Sequence, residues 1–115
     1  MYIIYGIKNC STMKKAFNLL DELGVQYTFH DYKKSAVDAS ILRQWIDVLG
    51  LETVINRKGT TWRGLSAAEQ AEAANVESAL VLMQNKTSLI KRPILSNGKE
   101  ILICGFSEDE YRQLT

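Results

Sequence analysis

Residues 2–31 constrain the fold more than any other stretch, because they hold a strand, a helix and a second strand in immediate succession. Tyr2-Ile3-Ile4-Tyr5 is a short apolar run of β-branched and aromatic residues that Gly6 ends, the pattern of a buried strand. From Ser11 onward, Met13, Ala16, Phe17, Leu20 and Leu23 fall on one helical face at spacings of three and four, and Gly24 supplies the C-terminal stop. Val25, Tyr27 and Phe29 then alternate with Gln26, Thr28 and His30, which predicts a strand over residues 25–31. Two strands joined by one helix at this spacing make a βαβ unit, so they run parallel.

The middle of the chain reads as helical. Asp38 is an N-cap candidate, Ile41, Leu42, Trp45 and Leu49 form a stripe, and Gly50 closes it; residues 51–55 add one more turn before a polar loop over residues 56–61. Ser66-Ala67-Ala68-Glu69 has the form of a capping box, which opens a helix reaching about Ala74, and Asn75 restarts the pattern with Val76, Leu80 and Met83 inward. The last third changes period. Residues 93–96 and 100–103 flank Asn97-Gly98, a strong hairpin signal, and Ser107-Glu108-Asp109-Glu110 reads as a second capping box opening a helix through Leu114. The order β-α-β, helices, β-β-α predicts an α/β domain with a four-stranded mixed sheet.

Composition narrows the function. At 115 residues, 46% hydrophobic and 23% charged, the chain has the makeup of one ordinary globular domain. Apolar runs such as residues 79–83 fall far short of the roughly 20 residues that span a bilayer. A formal charge of +1 predicts binding to neither nucleic acid nor membrane. The start MYIIYGIKNC has no secretory-leader pattern, and two cysteines in a chain with core enough to fold without a disulfide point to the reducing cytoplasm. Two cysteines and one histidine do not complete a four-ligand zinc site without carboxylates, so no metal is expected.

Chemistry therefore rests on few side chains. Cys10 falls between the first strand and the first helix, where unpaired N–H groups and the helix dipole stabilise a thiolate. Lys14 and Lys15 follow in the first turn, against the dipole's preference for acids, which fits a site that holds a thiolate or receives an anion. The bland alternative is a small buried hydrophobe beside two solvated lysines. Met13 stands where a Cys-x-x-Cys motif would place its second thiol, so the chemistry is monothiol. Cys104, at a strand end, reads as a structural cysteine, and His30 as an ordinary edge residue. Pro93 opens a strand, where a missing N–H is tolerated and the preceding bond can be cis. Arg57 and Arg92 are candidates to converge on Cys10 and hold an anion, the alternative being solvent exposure, and Trp62 is either a docking residue or core.

Residues 5–16 (YGIKNCSTMKKA), the loop Asn56-Arg57-Lys58-Gly59-Thr60-Thr61-Trp62-Arg63 and the segment Lys91-Arg92-Pro93-Ile94, in this order, resemble the ArsC/Spx family, and within it the YffB-like branch, over essentially the whole chain. The resemblance implies a thioredoxin-like fold, one domain over residues 1–115 with a helical insertion at about 38–89, and a cis Pro93 beside the active cysteine. It implies a thiol-dependent oxidoreductase: a glutathione-dependent monothiol reductase with Cys10 as nucleophile, Arg57 and Arg92 binding the anion or substrate, and Pro93 shaping the wall, with Lys14 joining the anion-binding candidates by its place in the first helical turn. Glutathione is then the co-substrate and no cofactor is bound. The expected partners are glutathione and glutaredoxin, a small oxyanion or disulfide substrate, and no nucleic acid or membrane, with the protein a monomer. Two alternatives come with the family. One is a genuine arsenate reductase, against which Gly105 stands where those enzymes carry a third arginine, a contact worth roughly 1.5–3 kcal/mol. The other is a non-enzymatic, Spx-like regulator that binds RNA polymerase as a protein partner, against which Met13 replaces the second cysteine of its switch.

Overall fold

In the computed structural model, which describes residues 1–115, the chain runs β1 (Tyr2–Gly6), α1 (Ser11–Glu22), β2 (Tyr27–Asp31), α2 (Ala39–Leu49), α3 (Leu51–Val54), α4 (Thr60–Arg63), α5 (Ala67–Glu72), α6 (Val76–Asn85), a 3₁₀ turn (Thr87–Leu89), β3 (Ile94–Ser96), β4 (Ile101–Cys104) and α7 (Glu108–Arg112). It forms two compact units, one of Met1–Ser35 with Arg92–Thr115 and one of Ala36–Lys91. The first carries the sheet, the second is helical.

The sheet order is β2-β1-β3-β4, with β1 parallel to β2 and antiparallel to β3, and β3 antiparallel to β4. This is the mixed four-stranded sheet that the βαβ unit and the hairpin predict. The register pairs Ile4 with Phe29 and with Leu95, and Leu95 with Ile103. Directly paired residues share a face, so these four point to one side. Onto that side α1 brings Met13, Ala16, Leu19 and Leu20, and α7 brings Tyr111. Ile4, Met13, Leu20, Leu95 and Tyr111 are fully buried, and each large aliphatic side chain removed from water here contributes roughly 1.5–3 kcal/mol. The predicted helical stripe is rotated slightly: Leu19 joins the core, whereas Phe17 and Leu23 are only half-buried. Phe17 instead meets the rings of Tyr27 (5.8 Å) and Phe29 (5.0 Å) at the sheet edge.

Helix ends account for the other differences. β2 starts at Tyr27 rather than 25, because the Val25 N–H donates to the Leu20 carbonyl (3.0 Å) and belongs to the closing turn of α1. Asn97-Gly98 form the first half of a longer loop rather than a two-residue turn. Asn97 Oδ1 accepts from the N–H groups of both Lys99 and Glu100 (2.9 Å each), which folds all four residues into the connection. Ser107 caps α7 through the Glu110 N–H (3.3 Å), a single-armed cap rather than a reciprocal box, and α7 stops at Arg112.

In the helical unit, Leu42, Trp45 and Ile46 of α2 are buried, as are Val54, Ile55, Leu80, Met83, Leu89 and Ile90, and α2 packs on α3 and on α6. The Ser66–Glu69 capping box forms with both arms (3.0 and 3.1 Å). Backbone bonds from Asn56 N–H to the Leu89 carbonyl and from Lys91 N–H to the Val54 carbonyl (2.7 Å each) tie the unit's middle to its end. The predicted loop at 56–61 is interrupted by α4, which starts at Thr60 with Gly59 as its N-cap. No helix is long and apolar enough to cross a membrane.

The Tyr111 hydroxyl is buried against Phe106 and has no hydrogen-bond partner in the protein. A buried hydroxyl without a partner is a cost of roughly 1–3 kcal/mol. Tyr111→Phe is therefore expected to raise stability, by up to about 1 kcal/mol, seen as a higher urea midpoint at unchanged slope. A lower midpoint would show that the hydroxyl is bonded.

Candidate active site

The β1–α1 connection places Cys10 as the N-cap of α1, in extended conformation (φ −136°, ψ 132°), with its carbonyl accepting from the Lys14 N–H (3.0 Å). The first turn contains no acid. Cys10 is partly exposed, so its sulfur is reachable from solvent. Burial pushes the thiol up, but the backbone N–H groups of Met13 and Thr12 and the side chain of Arg92 together outweigh it, and the net shift is below the ordinary thiol value. This occurs although no hydrogen bond of helix-cap geometry runs to the side chain. The dipolar and cationic groups facing the sulfur favour its charged form.

Arg92 arrives from the start of β3. The Arg92–Pro93 peptide is cis, as the resemblance implied, and Pro93 is buried. Gly6 explains how closely these segments approach: a Cβ there would overlap the Met13 thioether and come within 3.5 Å of Arg92 Cβ. The Gly6 carbonyl also accepts from the Tyr32 N–H (2.8 Å). Tyr32, which is 2% exposed, is a neighbour of the site that the sequence did not reveal. Burial, then the nearby Tyr5, hold its hydroxyl well above the ordinary phenol value, with Arg92 acting in the opposite direction. Its only sequence signal was an aromatic one residue beyond the second strand.

The other candidate residues occupy several elements. Lys14 is exposed on the first turn of α1 and lines a groove with Lys8 and Asn9. Arg57 belongs to the helical unit, where its guanidinium lies over the half-buried Trp62 ring, 5.2 Å from the centroid, beside a cavity shared with Lys58 and Lys91. Cys10 and Cys104 are both free thiols. Cys104 is only partly buried, not core, and it pairs with Ile94, so it faces the side of the sheet opposite Ile103 and α1. The His30 ring lies tilted against that of Tyr5 (centroids 4.8 Å apart), and its Nε2–H donates to the Ser35 carbonyl (3.0 Å).

The ArsC family model matches residues 5–114 of the chain. The chain belongs to the ArsC family. The solved structure of a YFFB (PA3664) protein is 45% identical, with a TM-score of 0.90, covering 98% of this chain and 97% of that one. The solution structure of an arsenate reductase (ArsC) related protein from Brucella melitensis is 40% identical, with a TM-score of 0.74 and coverages of 97% and 92%. The global transcriptional regulator Spx of Streptococcus pneumoniae is 25% identical over 114 residues, 97% of this chain and 84% of that protein. The sheet and its helices are thus an ArsC-family, thioredoxin-like fold, in a family that holds both arsenate reductase-like proteins and Spx homologues.

One family position acquires a physical explanation. Gly105 has φ +79°, and its N–H donates to the Pro93 carbonyl (2.8 Å). The backbone that follows β4 is therefore left-handed and tied to the cis proline, a conformation that an L side chain adopts at a cost of roughly 1–2 kcal/mol. Gly105→Arg is expected to lower unfolding free energy by about that amount, measured by urea denaturation; a neutral result would show that the turn relaxes freely. Arg92→Gln is expected to raise the Cys10 pKa and slow its alkylation by iodoacetamide at neutral pH, followed by thiolate ultraviolet absorbance against pH. An unchanged titration would remove Arg92 from the site.

Proposed function

We propose that the protein is a glutathione-dependent monothiol reductase with Cys10 as its nucleophile. The observation that carries this reading is the partly exposed Cys10 sulfur at the α1 N-terminus, with its thiol held low by the Thr12 and Met13 amides and by Arg92. A cysteine so placed is thiolate over more of the physiological range and attacks disulfide sulfur. In the first step the Cys10 thiolate attacks one sulfur of a substrate disulfide. The other half leaves as a thiolate that takes up a proton, and a mixed disulfide remains on Cys10. A glutathione thiolate then attacks the substrate-derived sulfur and expels Cys10 as thiolate, giving a mixed disulfide of glutathione with that half. A second glutathione thiolate attacks its glutathione sulfur and releases the half as a thiolate that takes up a proton, so two glutathiones supply the electron pair and leave as glutathione disulfide. Arg92 holds a carboxylate of the incoming group or of glutathione, and Pro93 forms the wall against which an extended substrate lies. Disulfides suit this site better than arsenate, because Gly105 offers no cation where the arsenate enzymes of the family carry an arginine.

Oxidised glutathione added to the protein is expected to give one adduct by mass spectrometry, lost in Cys10→Ser and kept in Cys104→Ser, and reduced glutathione is expected to release it. Absence of the adduct, or its appearance on Cys104, would overturn the reading. The similarity to Spx favours one other reading, a protein-binding regulator. Recovery of RNA polymerase subunits equally by wild type and by Cys10→Ser, with no reductase turnover, would select it.

A further inference from the structure

A groove of about 440 Å³ opens beside the cysteine, lined by Lys8, Asn9, Lys14, Phe17, Tyr27 and Phe29. Three half-buried aromatic rings make its walls. Phe17 of α1 lies parallel to Tyr27 of β2 (interplanar 15°) and edge-on to Phe29 (80°). Part of each ring is thus left open to solvent. Because β2 is the edge strand of the sheet, this side is free of any further strand.

The charges around the groove are polarised. Lys8 and Asn9 immediately precede Cys10, and Lys14 is one helical turn beyond it. Neither Lys8 nor Lys14 lies within 4.0 Å of a carboxylate, unlike Arg43, Lys86 and Arg112, which are all paired. At the other end, the Tyr27 hydroxyl donates to Asp21 (3.3 Å). The cysteine end is therefore cationic, reinforced by the α1 N-terminus, and the far end carries the acid.

We infer that this groove receives an extended segment of a protein disulfide substrate, with an aromatic or long aliphatic side chain on the Phe17–Tyr27–Phe29 wall and a neighbouring carboxylate at Lys8 and Lys14. The inference rests on the Cys10 reductase reading and names its substrate class. Glutathione has carboxylates but no apolar side chain, so it leaves the aromatic wall unused. A protein segment satisfies both features at once: aromatic surfaces supply apolar contact area, and unpaired lysines give charge complementarity and steer the approach.

The test uses synthetic peptides with one cysteine, carried as a mixed disulfide with cysteamine, and Glu-Phe, Glu-Ser or Lys-Phe two residues from it on either side. Wild type is expected to turn over the Glu-Phe peptide with a kcat/KM about tenfold above both others, and the Lys8→Glu/Lys14→Glu variant to prefer Lys-Phe over Glu-Phe. The same peptides with serine for cysteine, labelled with a fluorophore, report binding to Cys10→Ser protein by anisotropy and are expected to keep the order. Equal kcat/KM for all three peptides would overturn the groove and leave the reductase standing. Ordered binding without turnover would overturn the reductase and leave the groove. Displacement of the Glu-Phe peptide by phenylpropionate at equal concentration would make this a small-molecule site and sink the protein-substrate assignment.

Discussion

The contact on which the site depends is the seating of the Met13 thioether against Gly6. Met13 is fully buried, and Gly6 has no Cβ to keep it away. This closes the turn between β1 and α1, so that Cys10 becomes the N-cap of a helix rather than part of a wandering loop. The Cβ of Arg92 lies close to the same glycine, and the Gly6 carbonyl holds the Tyr32 N–H. Three chain segments thus meet at one residue without a side chain. Packing comes first here, and the electrostatics of the sulfur follow from it.

The same contact accounts for the absence of a second thiol at position 13. A second cysteine at position 13 would occupy the place of a buried core side chain. In this chain the position contributes to the hydrophobic cluster with Ala16, Leu20, Leu95 and Tyr111. Cys104 does not compensate, since the register turns it toward the face opposite α1. In the proposed reaction the adduct on Cys10 is therefore left for a thiol from solution. Partial exposure of Cys10 suits such a step, whereas deeper burial would push its thiol up and oppose it.

What could be read from the sequence followed from whether its cause was local. The opening strand, helix and strand declared themselves through periodicity and glycine stops, and the Ser66–Glu69 box through its spacing alone. Cys10 at a helix N-terminus was also legible, because the boundary between the two periods falls there. The tilt of the α1 stripe that leaves Phe17 on the edge depends on where α7 brings Tyr111, some ninety residues later in the chain. The left-handed turn at Gly105 is accompanied by a bond to Pro93, and Tyr32 is tied to the site by its N–H bond to Gly6 and by its nearness to Tyr5 and Arg92. These are long-range pairings for which one sequence has no period.

Net charge was the weakest guide, and the reason bears on function. A chain with a formal charge of +1 looks electrostatically neutral to a distant partner. At the distances that matter inside a groove, roughly the 8–10 Å over which salt leaves a field unscreened, only neighbouring charges count. Lys8 and Lys14 have no carboxylate partner, while the acids of α1, Asp21 and Glu22, lie at its other end. The helix therefore carries its charge against its own dipole at the N-terminus, a placement that costs stability in the free protein. In the proposed reaction an anion beside Cys10 would offset that cost, which is the physical argument for a substrate that brings one.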